Sequence, residues 1–459
     1  MTIVVDEQNT VYELAEKLGE GGQGRVYSIT GGRRAIKLMY ETSTVKRDRL
    51  RRQLSQVRML FDIQQLPIAM PLEMLQSPYV GYVMELLTGM IPISKLTYLP
   101  QKIECPVTWY LQGGGLRRRL ILLAKSAEAL SQLHGKGLVY ADPSPNNIFV
   151  SSDLDANEIR FIDADNLCYE SNVSSSFYTP GYGAPELVKG KSGVNTLTDV
   201  HAFAVIAFQT LTTLHPLTDG DLVSYGEPEL EEKALQGEIP WIDNPNDNSN
   251  YTDKGFPREI TLSPRLQTLA NKCFDEGILN PQKRPSVNEW AEYLYTAADF
   301  TITCPSCHST YYANQKNCSW CDFSRPDFVR IEIYYWQPYK TEEDKKHKPK
   351  PLQVMALERD KPIILTNRII NGRLGIDSHK PNLEIEFSEN YLKVRKLNNQ
   401  SFLLTSQNQE NNKLEREISE DRWLKFPVEA GKYGDWLLHF GSLNHPHRYA
   451  CFRLIKGGD

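Results

Sequence analysis

Short apolar runs open the chain. Val4-Val5, Val26-Tyr27, Ala35-Ile36-Lys37-Leu38 and Gly81-Tyr82-Val83-Met84 carry strand propensity. Before the last of these, Leu50, Leu54, Val57, Leu60 and Phe61 recur at helical spacing among Arg and Gln, which predicts one helix. From Leu116 the period becomes helical throughout: Leu120, Leu123, Ala127, Leu130 and Leu133 form one apolar stripe, and His134-Gly135-Lys136-Gly137 supplies the stop. Two short runs follow, Ile148-Phe149-Val150 and Ile159-Arg160-Phe161-Ile162, and then helices and loops from about 197 to 298, including a polar loop over 242–255. After about 328 the period falls to two, as in Leu383-Glu384-Ile385-Glu386-Phe387 and Tyr391-Leu392-Lys393-Val394, which predicts a β-sandwich or small barrel. Thr341 to Lys350 reads as a charged insertion or linker. The expectation is an α+β chain: a strand-rich lobe at about 1–87, a helical lobe at about 88–299, a short segment at 300–325 and a β-rich domain at 326–459.

Composition changes this picture little. A chain of 459 residues exceeds what one core supports, so two or three domains are expected. A net charge of −5 gives no global pull toward nucleic acid or membrane. Met1 to Glu20 shows no basic start followed by an apolar core, and the apolar stretch Val200 to Leu214 is too short to span a bilayer, so a soluble, cytoplasmic protein is expected. Cys105, Cys168, Cys273 and Cys451 are scattered and read as reduced, buried side chains. The other four cysteines carry chemistry. Cys304 and Cys307, then Cys318 and Cys321, make paired C-x2-C knuckles, whose four thiolates suit one structural zinc ion. His308, beside the second cysteine, reads as a surface residue.

Two further constellations point to phosphate chemistry. Gly19 to Val26 is a G-x-G-x-x-G-x-V run in a strand–turn–strand context; Gly19, Gly21, Gly22 and Gly24 would let backbone N–H groups approach phosphate oxygens. Lys37 follows in the next strand, either as a solvated edge residue or as a cation on phosphates. Asp142 and Asn147 stand five apart before two apolar strands, and Asp163-Ala164-Asp165 closes the second of them. Phosphoryl transfer needs a carboxylate at the attacking hydroxyl, which Asp142 fits, and oxygen ligands for magnesium, which Asn147 and Asp163 fit.

These residues, in this order, resemble the eukaryotic-type (Hanks-type) serine/threonine protein kinases of bacteria. The likeness extends through Thr179 to Glu186, similar to the substrate-docking segment that ends in A-P-E, through Asp199, the buried tie to the catalytic loop, and through Arg284, the partner of Glu186. It implies a bilobal kinase fold, ATP and Mg2+. It also implies a nucleotide site built from Gly19, Gly21, Gly22, Gly24, Val26, Ala35, Lys37, Met84, Glu85, Leu86, Asn147 and Asp163, with Asp142 as catalytic base. Thr179 favours serine or threonine over tyrosine as the acceptor, and Ser174, Ser175, Ser176 and Thr179 are candidate self-phosphorylation sites. Joined to a zinc ribbon, the kinase resembles bacterial kinases associated with phosphatase and von Willebrand-type partners; nucleic acid and membrane are not expected partners.

The departures bear on activity. Tyr140-Ala141 stands where His-Arg precedes the catalytic aspartate, Ser144 replaces the lysine two residues after it, and Ala164-Asp165 replaces Phe-Gly. From Thr42 to Met70 no glutamate can pair with Lys37; Gln53 or Gln56 stands nearest that position. Asp165 reads as a solvated turn carboxylate, with an extra metal ligand as the alternative. The expectation is a slow or conditionally active kinase, against the alternative of an ATP-binding pseudokinase scaffold that recruits partners through its ribbon and β domain. In the tail, Gly434 to Gly441 is similar to the last strands of a forkhead-associated domain, with Arg373, Ser378 and His379 as its polar candidates, beside the plainer reading of a β interaction module.

Overall fold

The computed structural model describes residues 2–40, 43–60, 63–170, 177–338, 350–407, 413–420, 422–429 and 435–458. Ser174, Ser175, Ser176 and most of the 341–350 linker lie outside the described residues. The chain divides into two compact units: Met1–Glu104 with Lys125–Arg258 and Gln267–Ala291, and Cys105–Ala124 with Glu259–Leu266 and Glu292–Asp459.

The first unit begins with an antiparallel sheet. Its strands are β1 (Ile3–Val5), β2 (Val11–Glu20), β3 (Gly24–Ile29), β4 (Arg34–Met39), β5 (Glu73–Met74) and β6 (Gly81–Glu85), in the order β1-β2-β3-β4-β6-β5. Helix α1 (Thr44–Arg58) buries Leu54 and Val57 and turns its Arg-rich side outward, as its spacing predicts. One face of the sheet joins α1 in a small core with Ala35, Tyr82 and Met84, and the other face closes over Val4, Ile36 and Val83. Alternation along each strand, with one set of residues on each face, produces these two cores.

Helical packing dominates the rest of this unit. The later half of helix α2 (Gly115–His134), from residue 125, contributes buried Leu130 and Leu133. Helix α3 (Thr196–Thr212) is buried over nearly all its residues, in keeping with the run from Val200 to Phe208 that is apolar apart from His201. Its N-terminus is a capping box: the Asn195 side chain accepts from Leu197 N and Thr198 N, while Thr198 Oγ1 accepts from Asn195 N. Phe208, Trp241 and Phe274 pack ring to ring beside α3.

The second unit holds the cysteine cluster and a β-sandwich. A two-stranded ribbon, Thr301–Thr303 with Thr310–Tyr312, precedes a six-stranded sheet ordered 353–358, 328–336, 447–455, 436–439, 403–407 and 413–417. A four-stranded sheet ordered 363–366, 381–388, 391–396 and 424–427 faces it across a core that includes Ile331, Ile385, Val394, Leu404 and Leu438. The alternation read at 383–387 has the expected outcome. Leu383, Ile385 and Phe387 are buried, while Glu384 and Glu386 pair across the outer face with Arg395 and Lys393.

Arg117 ties the early segment of this unit to the ribbon. Its guanidinium donates to Thr301 Oγ1 and Thr301 O, each at 2.6 Å, and to Glu358 Oε1 at 2.8 Å. Burial pushes the Glu358 carboxyl up, but Arg117 and Lys361 hold it below the usual carboxylate range. Arg117→Ala is expected to cost about 2 kcal/mol, because a charge-assisted hydrogen bond is lost and a half-desolvated carboxylate is left underpaired. A thermal unfolding scan should show the drop in midpoint, and an unchanged midpoint would remove Arg117 as an anchor.

Candidate functional site

The first unit's sheet aligns the nucleotide-type residues before any loop is considered. Lys37 on β4 stands opposite Val26 on β3 and opposite Tyr82 on β6, and Ala35 stands opposite Met84. Paired residues share a face, so Val26, Ala35, Lys37, Tyr82 and Met84 all project to one side. Glu85 alternates to the other face with its side chain exposed, so any role at the site falls to its main chain. Leu86 leaves the strand by donating to Arg33 O at 3.1 Å.

The β2–β3 turn separates structural from spare glycines. A Cβ on Gly24 would lie 2.2 Å from Leu38 O, so sheet packing alone requires glycine there. Among the described residues, a Cβ on Gly19, Gly21 or Gly22 would meet no protein atom within 4 Å. Their bareness serves no packing need, which fits a loop that lets backbone N–H groups close on a phosphate.

The loop over 140–147 is held from below by α3. Asp199 accepts from Tyr140 N at 2.8 Å, from Ala141 N at 2.9 Å and is 2.9 Å from His134 Nε2. Ala141 has φ of 80°, a left-handed conformation that costs a non-glycine residue about 1–3 kcal/mol. The bonds to Asp199 offset that cost and fix the next residue, Asp142. Thr179 donates both its backbone N–H and its hydroxyl to Asp142 Oδ1, each at 2.8 Å, which leaves Oδ2 for another partner. Burial raises the Asp142 carboxyl above its ordinary range despite those bonds, with Asp163 and Asp199 adding to the effect. Asn147 donates from Nδ2 to Asp142 O at 3.1 Å, and among the described residues its Oδ1 has no hydrogen-bond partner. Ser144, at the usual lysine position, is buried.

Asp163 takes a left-handed conformation at the start of a short turn, Ala164–Asn166. It lies 3.0 Å from Lys37 Nζ. The expectation for Asp165 is corrected here. It is 1% exposed, so it is no solvated turn carboxylate, and its Oδ2 lies 2.7 Å from Lys37 Nζ. Tyr82 OH donates to its Oδ1 at 2.6 Å, and Gln53 Nε2 donates to its backbone carbonyl at 2.7 Å. Both of its oxygens are thus engaged by protein groups, one by Lys37 and the other by Tyr82. Gln53 therefore meets the 163–165 turn rather than Lys37, and Gln56 is exposed. The structure thus brings together Lys37, Asp142, Asn147 and Asp163, and adds Tyr82, which sequence reasoning missed, and Asp165, which it placed in solvent. The signal for Asp165 was a surplus acid beside Asp163 in a chain whose helix lacks a glutamate.

The docking-type segment is anchored separately. Arg284 forms a two-pronged pair with Glu186, at 2.6 and 2.8 Å, and also donates to Leu197 O and Gly277 O.

In the second unit, Cys304, Cys307, Cys318 and Cys321 bring their sulfurs within 4.8 Å of one another. Cys304 and Cys321 Sγ are 3.6 Å apart, and Cys307 and Cys318 Sγ 3.7 Å. Four sulfurs about 2.3 Å from one zinc ion form a tetrahedron with edges of about 3.8 Å, so the donor set fits. Burial raises the Cys304 and Cys318 thiols above their ordinary range, while backbone N–H groups of Ser306 and Cys307 at Cys304 Sγ, and of Trp320 and Cys321 at Cys318 Sγ, oppose that shift. His308 is exposed, as expected. In the sandwich, Arg373 is exposed and Ser378 buried, and both border a cavity of about 640 Å³ with Arg448 and His445. His379 instead contacts Tyr295 OH at 3.2 Å.

A family model for the protein kinase domain matches residues 12–296. The serine/threonine-protein kinase Pkn1 of Myxococcus xanthus is 30% identical over 226 residues, covering 46% of this chain and 30% of that protein. The DNA damage-responsive serine/threonine-protein kinase RqkA of Deinococcus radiodurans is 30% identical over 210 residues, covering 43% of this chain and 29% of that protein. The chain thus spans less than a third of the length of either relative.

Proposed function

The chain belongs to the protein kinase domain family, and we propose that it is an ATP- and magnesium-dependent serine/threonine kinase. One observation carries this reading: Asp142 has one oxygen fixed by Thr179 and, among the described residues, the other without a hydrogen bond. A hydroxyl arriving at Oδ2 would give up its proton there as its oxygen attacks the γ-phosphorus and the bond to the β-γ bridging oxygen breaks. Magnesium held by Asn147 and Asp163 would neutralise charge between the β- and γ-phosphates. Lys37 would hold the α- and β-phosphates, and the bare Gly19, Gly21 and Gly22 would cover them. Ala35 and Met84 would wall the adenine, with the chain at Glu85 and Leu86 bordering it.

Ser144 limits the rate. It replaces a lysine that would contact the γ-phosphate, and the loss of one preorganised donor costs about 10²-fold. Slow turnover is the result rather than none, because Lys37, Asp142, Asn147 and Asp163 are all present. Phosphoamino-acid analysis after incubation with γ-labelled ATP tests the acceptor class: phosphoserine or phosphothreonine is expected, and phosphotyrosine alone would overturn the assignment.

We also propose the division into a kinase domain at 1–299, a zinc ribbon at 300–325 and an interaction domain at 326–459. Among the described residues no helix is long and apolar enough to cross a membrane, and cytoplasmic residence is our reading. Protein substrates, and the phosphatase and von Willebrand-type partners that the resemblance implies, would dock through the tail; co-purification with full-length chain tests this. Zinc would be structural. The purified chain is expected to release one zinc per molecule when its thiols are titrated, and Cys318→Ser to release none with a lower unfolding midpoint. Absence of zinc from the native chain would refute the ribbon's metal.

A further inference from the structure

We propose that Asp165 is the positioning residue of Lys37, replacing the helix glutamate this chain lacks; the inference rests on reading Lys37 as the phosphate-binding lysine. In protein kinases that lysine must be ion-paired to be competent, and the pair is supplied from the helix that follows its strand. Here α1 offers no glutamate, and its Gln53 donates to a backbone carbonyl instead.

Burial leaves Lys37 dependent on its carboxylates. Its side chain is 4% exposed, and an ammonium so placed is tolerable only when paired. Asp165 Oδ2 at 2.7 Å and Asp163 Oδ1 at 3.0 Å from its Nζ supply that pairing. The two carboxylates are not equivalent. The Asp163 side chain is 32% exposed and is the oxygen donor suited to magnesium, whereas that of Asp165 is 1% exposed. Once a metal claims Asp163, Asp165 is the anion that stays with the lysine.

Three elements hold Asp165 to this task. The turn 164–166 carries it, β6 supplies the Tyr82 hydroxyl to its second oxygen, and α1 supplies Gln53 to its carbonyl. Burial and the two aspartates push the Tyr82 phenol well above its ordinary range, so it remains a donor. Tyr82 sits directly across the strands from Lys37, so sheet register aims both at the same carboxylate. The lysine's anchor and the metal-type aspartate therefore share one turn, and α1 supports the ion pair through Gln53 rather than supplying its anion.

The test compares binding of ATP with binding of adenosine to the full chain. A fault in the lysine's position weakens only the ligand with phosphates, whereas general damage weakens both. Asp165→Asn keeps the shape and removes the charge; it is expected to weaken ATP by about 10- to 100-fold and to leave adenosine within about twofold. Tyr82→Phe, which loosens Asp165 without removing the ion pair, is expected to weaken ATP by about 3- to 10-fold, and it decides the matter if Asp165→Asn does not fold. Unchanged ATP affinity in the folded variants, or equal losses for both ligands, would overturn the inference. Lys37→Met separates the premise: if it leaves ATP affinity intact, the reading of Lys37 fails rather than the role of Asp165.

Discussion

Asp142→Asn is expected to lower phosphate transfer by about 10³-fold while ATP affinity changes by less than about twofold. The asparagine keeps an oxygen for the two Thr179 bonds, so the loop and its docking segment stay in place. What disappears is a basic oxygen at the point where the acceptor hydroxyl must lose its proton. Asp142 is not a residue of the sheet that carries Lys37 and Ala35, so nucleotide affinity should change little. Single-turnover transfer from γ-labelled ATP, with affinity measured alongside, separates the two effects. Equal rates in wild type and variant would remove Asp142 from the chemistry.

Arg284→Ala should be the most destabilising single change in the first unit, by about 3–5 kcal/mol. Its side chain is fully buried and the partner Glu186 is 15% exposed, so truncation strands a carboxylate that water cannot fully reach. The guanidinium also satisfies Gly277 O and Leu197 O, which join helical segments far apart in sequence. A penalty of that size consumes a large share of a typical domain's stability, so low soluble yield and a lower midpoint are expected. Adding Glu186→Gln should recover part of the loss, because the stranded charge goes; a cost no smaller in the double variant would show that the charge is not the cause.

The kinase fold, the β-rich tail and the cysteine knuckles were legible because each is written in local spacing. Period 2 at 383–387 was enough to place glutamates outside and aliphatics inside. Long-range choices were not legible. Nothing local says that the acid at 165, rather than a helix residue, returns to a lysine 128 positions earlier, because strand register at Tyr82 makes that decision. Arg117 lies in the first turns of a helix whose stripe reads as uniform, and only the fold reveals that it serves Thr301 and Glu358. The strand order of the sandwich, with 328–336 beside 447–455, likewise depends on chain closure across more than a hundred residues.

The central claim is that these residues move a γ-phosphate to a protein hydroxyl despite the missing helix glutamate and catalytic-loop lysine. The direct measurement incubates the purified chain and magnesium with ATP labelled at either the α or the γ position, beside Asp142→Ala. Label on protein from γ-labelled ATP, absent with α-labelled ATP and absent in the variant, is the predicted result. Label from α-labelled ATP would mean AMP transfer, and no label in any sample despite ATP binding would mean a scaffold; either contradicts the account.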